Sequence, residues 1–596
     1  MTVRAADEDE GGRRIAVLMV WDGLRPDSVT ERDTPNLYRM ARQGVRFDRH
    51  HSLFPTVTMV NAAAIATGAS PGTNGLEGNL IDAIPPKRSD GRLYSVEESK
   101  SIMDLNAPDF YAGRLLALDT VSQEIEREGG YIAALGKKGP ALIFDNRLMT
   151  VLGGKDETGE PHKDYLFFSD DVAAPQPAAS KFTAAFPPEE KSGVIDGARD
   201  AYFTRLAIED ALPSAIRAAD SGHPALIVLW QHNPDLTEHA AGLGTASSLE
   251  ALALTDRNLG QLRTAIDSSG AGDRTDLIVV SDHGFATIRM RIDLGAMLVA
   301  AGIKHSADST DIVVAPGGGA DLVYLSPAAF PTRAAQRAVL QRIVNFAEAQ
   351  EWCGPIFSRD AAESSVAATS RRAARGHHGG SSRASGPDLG WIDGTFSQAA
   401  AGLYNPARSP DLIISMREIP DADNRDFTGP SHPAFMIGAN GEVSTPNHSE
   451  PLLHPVKGLV YEDSGASTRW SAGMGMHGAA GEREIHNFCA AIGPDFRRGF
   501  VDVNPTANTD IAPTIEQILG ILPNAGPGGI APTGRTMTEA LEDGSHAAPP
   551  AHIQTLTTSL MLQGMDVIST IRVVHTAGES YLDGSSTERK PLGKSP

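Results

Sequence analysis

The sequence predicts an α/β protein with a doubly wound, mostly parallel sheet. Short apolar runs, typical of strands buried on both faces, lie at residues 15–21, 131–135, 225–230 and 276–281. Segments with helical spacing separate these runs, at residues 34–44, 200–219 and 248–268. Strands that alternate with helices in this way form a parallel sheet covered by helices on both faces.

The first apolar run, residues 15–21, ends at Asp22. In an open α/β sheet the residue that follows a strand lies at the edge where ligands bind. Thr58 precedes a helix-like segment at residues 61–67. A hydroxyl at a helix N-terminus lies beside free backbone N–H groups, where phosphate oxygens bind well. Asp22 and Thr58 are therefore the first candidate site residues.

We assign the first part of the core to residues 1–290, and weaker sequence patterns predict its remaining elements. A helix is predicted at residues 119–129. The short apolar run at residues 141–144 is interpreted as a further strand. Residues 145–192 are interpreted as mostly loop because Asp, Pro and Lys are abundant there.

An inserted α+β lobe is predicted at residues 291–409. It begins with a hairpin at residues 311–325 that turns through three glycines, and a helix follows at residues 332–349. Residues 360–390 are rich in Gly, Ser and Arg and are expected to form a flexible loop. His377 and His378 are assigned to this loop rather than to a metal site.

The second part of the core is assigned to residues 410–545 and a C-terminal extension to residues 546–596. A strand is predicted at residues 410–416, loop over most of residues 417–470, and a helix at residues 510–519. The extension contains a helix-like run from Ala551 and a strand-like run at residues 566–574.

Composition excludes some classes of partner. The net charge of −22 argues against nucleic acid or an anionic membrane as a partner. No apolar run approaches the roughly 20 residues that a membrane-spanning helix needs.

Cys353 and Cys489 fit no metal-binding spacing and are expected to be thiols. No signal peptide is visible, so we expect a cytoplasmic protein, or a periplasmic or secreted one if the N-terminus is trimmed or misassigned.

Three acidic residues follow apolar strands, and histidines accompany two of them. Asp235 and His239 come after the run at residues 225–230 and share a helix face, while Asp282 and His283 follow the run that ends at residue 281. His477 lies much later, between glycines that allow close backbone approach.

Together with Asp22, these residues supply three carboxylates and three imidazoles at one sheet edge. This donor set suits two zinc ions, and manganese or iron less well. Carboxylates crowded at one edge repel each other unless cations lie between them, so two metal ions would resolve the conflict.

With these motifs the chain resembles the nucleotide pyrophosphatase/phosphodiesterase family, which belongs to the alkaline phosphatase superfamily. The resemblance covers most of residues 15–290 and resumes at residues 410–540. It implies an alkaline phosphatase type of sheet, a bimetallic zinc site and a threonine nucleophile, Thr58. By the same resemblance, one zinc would be held by Asp235, His239 and His477. The other would be held by Asp22, Asp282 and His283 and would also contact Thr58.

Asn79 matches the family asparagine that donates to a non-bridging phosphoryl oxygen, and its spacing from Thr58 agrees with the family pattern. The family usually reads Thr-Phe-Pro-Asn at the nucleophile, whereas this chain has Met59 and Val60 after Thr58. The family Phe stacks on a nucleotide base. Met59 is expected to give the substrate a softer apolar surface.

The resemblance implies a hydrolase of phosphodiester or pyrophosphate bonds, acting on small phosphate esters that include nucleotides. The alternatives are a phosphomonoesterase or phosphonoacetate hydrolase of the same superfamily, or a metal-binding protein without turnover. Residues 56–79 contain no Arg or Lys to recognise the extra charge of a monoester, which favours a diester. The sequence carries no prediction of oligomeric state.

Overall fold

The protein is described by a computed structural model. The residues described are 13–82, 91–107, 110, 113–144, 165–169, 173–174, 195, 197–359, 388–426, 436–437, 443–444, 452–465, 467, 470–522, 529–544, 549–562 and 564–591. Most of the predicted loop at residues 360–390, including His377 and His378, lies outside this part of the chain, as do residues 1–12 and most of residues 145–192.

The described residues form twenty-five strands. In chain order they are β1 (Ile15–Trp21), β2 (Val45–His51), β3 (Leu80–Asp82), β4 (Leu93–Ser95), β5 (Tyr131–Gly136), β6 (Tyr165–Ser169), β7 (Ala173–Ala174), β8 (Ala225–Gln231), β9 (Thr275–Val280), β10 (Ala286–Ile292), β11 (Ile312–Pro316), β12 (Ala320–Leu325), β13 (Cys353–Ser358), β14 (Phe396–Ser397), β15 (Leu412–Met416), β16 (Glu418–Asp423), β17 (Met436–Ile437), β18 (Val443–Ser444), β19 (Lys457–Asp463), β20 (Gly475–Met476), β21 (Cys489–Ile492), β22 (Phe500–Ala507), β23 (Ala551–Leu562), β24 (Met565–Thr576) and β25 (Glu579–Pro591).

The α-helices of the same residues are α1 (Pro35–Gln43), α2 (Thr58–Thr67), α3 (Pro71–Asn74), α4 (Ser99–Leu105), α5 (Val121–Arg127), α6 (Lys138–Phe144), α7 (Gly197–Leu206), α8 (Leu212–Asp220), α9 (Asp235–Ala241), α10 (Ala246–Ser268), α11 (Leu294–Ala300), α12 (Arg333–Glu348), α13 (Glu482–Ile485) and α14 (Ile511–Leu519). A π-helical turn, Ala207–Ala211, joins α7 to α8. The predicted helices at residues 34–44, 248–268, 332–349 and 510–519 are confirmed as α1, α10, α12 and α14.

A nine-stranded sheet forms the centre of the fold, in the order β22-β2-β21-β9-β1-β8-β5-β6-β7. The five strands from β9 to β6 are mutually parallel, and β2 and β22 run in the same direction. The strands β21 and β7 run antiparallel to their neighbours. The prediction of a doubly wound, mostly parallel α/β sheet is therefore confirmed.

Both faces of this sheet are covered, which explains the unbroken apolar strands. In β1, Ala16, Leu18 and Val20 pack into one core cluster. The other four residues of the strand pack into a second cluster on the opposite face; they are Ile15, Val17, Met19 and Trp21. Since side chains alternate between faces, a strand buried on both sides must be apolar throughout.

Smaller sheets surround the central one. The sheet β11-β12-β15-β13-β14 contains the predicted hairpin, whose strands β11 and β12 are antiparallel and are joined by three glycines. A further sheet contains β16, β19, β10, β17 and β18, with β20 paired to β10. The C-terminal strands β23, β24 and β25 form an antiparallel sheet of their own.

Three predictions of local structure are wrong. The apolar run at residues 141–144 ends helix α6 instead of forming a strand; its four side chains are fully buried, and a short run buried on all sides has no periodicity that separates helix from strand. The helix-like run from Ala551 is β23, because it pairs with β24 along its whole length. Residues 417–470, predicted as largely loop, contain the strands β16 and β19.

Cys353 and Cys489 are buried free thiols, as predicted. Among the described residues, no helix is long and apolar enough to cross a membrane.

Candidate active site

The candidate site residues meet at one edge of the central sheet. Asp22 directly follows β1, and Asp282 lies two residues after β9. Helix α9, which starts at Asp235, follows β8 after three residues. The loop after β2 leads to Thr58, the first residue of α2. Because β1, β2, β8 and β9 are parallel, their carboxyl ends deliver these side chains to the same place.

Asp235, His239 and His477 form the first cluster. The Oδ1 atom of Asp235 lies 3.2 Å from His239 Nε2 and 3.3 Å from His477 Nε2. The two Nε2 atoms are 3.2 Å apart. A tetrahedral site with bonds of about 2.0–2.1 Å places its ligand atoms about 3.3 Å apart. The cluster therefore has the dimensions of one face of a tetrahedral metal site.

Asp22, Asp282, His283 and Thr58 form the second cluster, in which three residues have ligand atoms that all lie within 4.8 Å of one another only when Asp235 is counted with Asp22 and His283. Nε2 of His283 lies 3.2 Å from Asp282 Oδ2, 3.6 Å from Asp22 Oδ1 and 3.3 Å from Thr58 Oγ1. All four residues are almost completely buried. The backbone N–H of Asp235 donates to the carbonyl of Asp22 at 2.9 Å, so the two clusters are held side by side.

Hydrogen bonds at the back of each imidazole fix which nitrogen faces the site. Nδ1 of His239 donates to Gly475 O at 2.9 Å, Nδ1 of His477 to Thr56 O at 2.8 Å, and Nδ1 of His283 to Gly284 O at 3.0 Å. A carbonyl only accepts, so in the neutral ring Nε2 carries the lone pair. Imidazoles bound to metals are oriented in this way.

The carboxylates present matching free oxygens. Oδ1 of Asp22, Oδ1 of Asp235 and Oδ2 of Asp282 are buried and accept no hydrogen bond from the described residues. Three such oxygens and three imidazole lone pairs face one another in the same small volume. This donor set fits divalent cations.

Burying these carboxylates costs free energy unless positive charge lies nearby. Burial, with the carboxylate of Asp235 nearby, raises the pKa of Asp22 to about 7. Burial and the Asp22 carboxylate raise the pKa of Asp282 well above its usual value. Burial and the adjacent His477 ring lower the pKa of His283. The shifts of Asp22 and Asp282 disfavour the ionised carboxylates that these groups would be in water, and nearby cations reverse this effect. The shift of His283 favours the neutral imidazole.

Lys137 supplies one positive charge, and the sequence analysis did not single it out. Its Nζ donates to Asp22 Oδ2 at 2.9 Å and to Asp235 Oδ2 at 3.3 Å. Burial acts against its charge, but the carboxylates of Asp22 and Asp235 raise the pKa of Lys137 well above its usual value. Lys137 directly follows β5, so the same rule that identified Asp22 applies to it.

Thr58 and Asn79 line a cavity that is also lined by Asp235, His239 and His477 of the first cluster. The Thr58 backbone N–H belongs to the first turn of α2, where a helix has no internal acceptor for it. Oδ1 of Asn79 accepts the Met59 N–H at 2.9 Å, which fixes the amide so that Nδ2 turns away from that bond. The cavity has a volume of about 610 Å³, and the other charged side chains on its wall are Glu97, Glu98, Lys137 and Arg199.

The structure does not bring Met59 into this cavity. Met59 and Val60 are fully buried and pack into two core clusters. The apolar wall comes instead from residues that the sequence analysis did not select, among them Trp470 and Met476.

The glycine hairpin between β11 and β12 forms part of the wall and supports His477. Gly319 N–H donates to His477 O at 2.8 Å. A Cβ atom at Gly319 would lie 2.2 Å from the backbone nitrogen of Ala479. Glycine is needed at this position because the two backbones approach too closely for any side chain.

Comparison with known proteins agrees with the fold. The fold is that of alkaline phosphatase PafA, whose wild-type structure superposes with a TM-score of 0.57 at 14% identity, covering 89% of this chain and 99% of that one. The protein-family model for type I phosphodiesterase / nucleotide pyrophosphatase matches residues 16–418, and the chain belongs to this family of metal-dependent hydrolases.

Two ectonucleotide pyrophosphatases/phosphodiesterases 5 are also similar. The inactive murine protein in complex with AMP gives a TM-score of 0.48 at 14% identity, and the human protein gives 0.49 at 15% identity. Each alignment covers 89% of this chain and 100% of the other. No curated protein matches the sequence.

Proposed function

We propose that this protein hydrolyses phosphodiester or pyrophosphate bonds of small phosphate esters, nucleotides among them, with Thr58 as the nucleophile. One observation carries the proposal. The Thr58 hydroxyl lies at the start of α2, on the cavity wall, and 3.3 Å from His283 in the second acid and imidazole cluster. A helix N-terminus beside cation ligands suits the binding of a phosphoryl group.

Two zinc ions are the proposed cofactors, although other divalent metals suit part of the donor set. Asp235, His239 and His477 would hold one ion. Asp22, Asp282 and His283 would hold the other, beside Thr58. When bound, the ions supply positive charge that makes a hydroxyl more acidic and offsets the charge of the phosphoryl oxygens.

In the first step, Oγ1 of Thr58 loses its proton to solvent and attacks phosphorus. A bond forms between Oγ1 and phosphorus, and the bond to the leaving oxygen breaks. The leaving group departs with the electron pair and takes up a proton. Nδ2 of Asn79 and the Thr58 backbone N–H donate to non-bridging oxygens, where negative charge accumulates.

In the second step, water attacks the phosphothreonine in line. A bond forms between the water oxygen and phosphorus as the bond between phosphorus and Thr58 Oγ1 breaks. Water gives up a proton, Oγ1 takes one up, and phosphate or a phosphomonoester leaves. The two steps return the protein to its starting state.

A second candidate, phosphomonoester hydrolysis, is favoured by Lys137 and Arg199. A monoester carries an extra charge that a diester lacks, so a monoesterase needs a cation near its nucleophile. Although residues 56–79 have no Arg or Lys, the fold brings Lys137 and Arg199 to the wall of the cavity that Thr58 borders.

The test compares an aryl phosphodiester with the matching monoester at the same pH and zinc concentration. We expect kcat/KM for the diester to exceed that for the monoester by at least about tenfold, equivalent to roughly 1.4 kcal/mol. Equal or faster monoester turnover refutes the diester preference. If Arg199→Ala then lowers monoester turnover more than diester turnover, the second candidate is supported.

A further inference from the structure

A second group of metal-binding side chains lies away from the cavity. His51 is the last residue of β2, His486 directly follows α13, and Asp583 lies in β25. Asp583 Oδ1 is 3.1 Å from His51 Nε2 and 3.2 Å from His486 Nε2. The three atoms all lie within 4.8 Å of one another. None of these residues belongs to the proposed catalytic machinery.

The hydrogen bonds of His51 leave a conflict that a cation would resolve. Its Nδ1 donates to Thr506 O at 2.8 Å, so Nε2 of the neutral ring carries a lone pair. That lone pair faces a carboxylate oxygen 3.1 Å away. The His51 side chain has no exposed surface, and complete burial disfavours a second proton on the ring.

The same arrangement is found in the active-site clusters. There, His239 and His477 also bond a backbone carbonyl through Nδ1 and place Nε2 within 3.3 Å of a carboxylate oxygen. A distance near 3.2 Å between ligand atoms agrees with bonds of about 2.0–2.1 Å to a shared tetrahedral ion.

The surrounding charges also suit a dication. Arg572 Nε donates to Asp583 Oδ2 at 3.1 Å, which leaves Oδ1 for the two imidazoles. Arg572 Nη2 donates to Glu482 Oε2 at 3.1 Å. With neutral imidazoles, the two carboxylates and one guanidinium carry a net charge of about −1. Hydrogen bonds to the outer oxygen of a ligating carboxylate are usual in metal sites.

We propose that His51, His486 and Asp583 bind a further zinc-class divalent cation, separate from the active site. Two imidazoles and one carboxylate are the donors that zinc prefers, and water would fill the remaining position beside the partly exposed His486. The ion would join β25 of the C-terminal sheet to β2, the strand that leads to Thr58. Its role is structural, and the site is independent of the proposed function.

The test measures zinc per chain in the full-length protein after reconstitution with zinc and removal of excess metal. We expect His486→Ala and Asp583→Asn each to contain about one zinc ion fewer than the wild type. His575→Ala is the matched control, because His575 lies in the same sheet and bonds Ser580 and Gln554 rather than a carboxylate. It should contain as much zinc as the wild type.

A measurement of Tm distinguishes loss of zinc binding from misfolding of a variant. Zinc added to metal-free wild type should raise Tm more than it raises Tm of Asp583→Asn, whose amide keeps the shape of the carboxylate. Equal zinc content in wild type, His486→Ala and Asp583→Asn would overturn the proposal and leave an imidazolium–carboxylate pair in its place. Because the measure is a difference between variants, it does not depend on the metal content of the active site.

Discussion

The Nε2 atoms of His239 and His477 lie 3.2 Å apart, and each ring is held from behind by a backbone carbonyl. Two nitrogen lone pairs at this distance repel each other unless a cation lies between them. We therefore expect His239→Ala and His477→Ala each to lose about one zinc ion per chain and most activity. The exposed His223 provides the control, and His223→Ala should keep both. A metal-free sample with full activity would contradict the bimetallic site.

Replacing Thr58 tests the nucleophile. Thr58→Ala should lower kcat by about a thousandfold or more, because no hydroxyl remains to attack, while zinc content stays near the wild-type value. Thr58→Ser should retain more activity. Rapid-quench detection of a phosphorylated chain in the wild type, absent in Thr58→Ala, is the direct measurement.

Thr56 is the matched control for Thr58. Its hydroxyl is already used, since it donates to Ala479 O at 2.8 Å and accepts the Gly478 N–H at 2.9 Å. Thr56→Ser should keep these bonds and the activity. A Thr58→Ala variant that keeps its activity and still forms a phosphorylated chain would mean that the nucleophile has been assigned to the wrong threonine.

Asn79→Asp separates the two functions of that amide. The aspartate can still accept the Met59 N–H, so the start of α2 is preserved, but the Nδ2 donor is lost and a negative charge faces the phosphoryl group. We expect kcat/KM to fall by about 10²–10³, the usual cost of removing one such donor. Unchanged kcat/KM with intact zinc content would show that Asn79 serves only the helix.

Glu348 should make the protein less stable as pH rises. Burial raises the pKa of Glu348 from 4.5 to about 8, although Arg589 lies nearby. Below about pH 4.5 both the folded and the unfolded chain hold the proton, so there is no penalty; between pH 4.5 and 8 only the unfolded chain ionises, and the free energy of unfolding falls.

Glu348→Gln removes that penalty. It should raise the free energy of unfolding at pH 8 by a few kcal/mol and change it little at pH 5, as measured by urea unfolding at both values. The exposed Glu351, three residues further on, is the control, and Glu351→Gln should give no such pH-dependent difference. Equal gains at the two pH values would contradict the buried neutral carboxyl group.

The sequence predicted the central sheet and most of the candidate site because one local rule applies to both. A buried parallel strand is apolar to its end, so Asp22 and Asp282 are conspicuous where their strands end. Lys137 obeys the same rule, but the two lysines after Gly136 have no acidic residue or histidine beside them to mark a site.

What the sequence did not reveal depends on contacts between distant segments. His51 and Asp583 are 532 residues apart, and no spacing rule connects them. The burial of Met59 follows from how α2 packs against α6 and its neighbours in the core, which the motif around Thr58 does not encode. The run at residues 141–144 is apolar in either conformation, so only its packing decides between helix and strand.

Asp22, Asp235 and Asp282 follow strands of the central sheet, whereas part of the cavity wall, at Gly317 and Gly318, belongs to a hairpin of a different sheet. The central sheet thus positions groups proposed for bond cleavage, and the neighbouring hairpin between β11 and β12 shapes the cavity wall. Replacing that hairpin with the one from a relative should change the substrate preference and leave the central sheet unaltered, provided that glycine is kept where the hairpin meets Ala479.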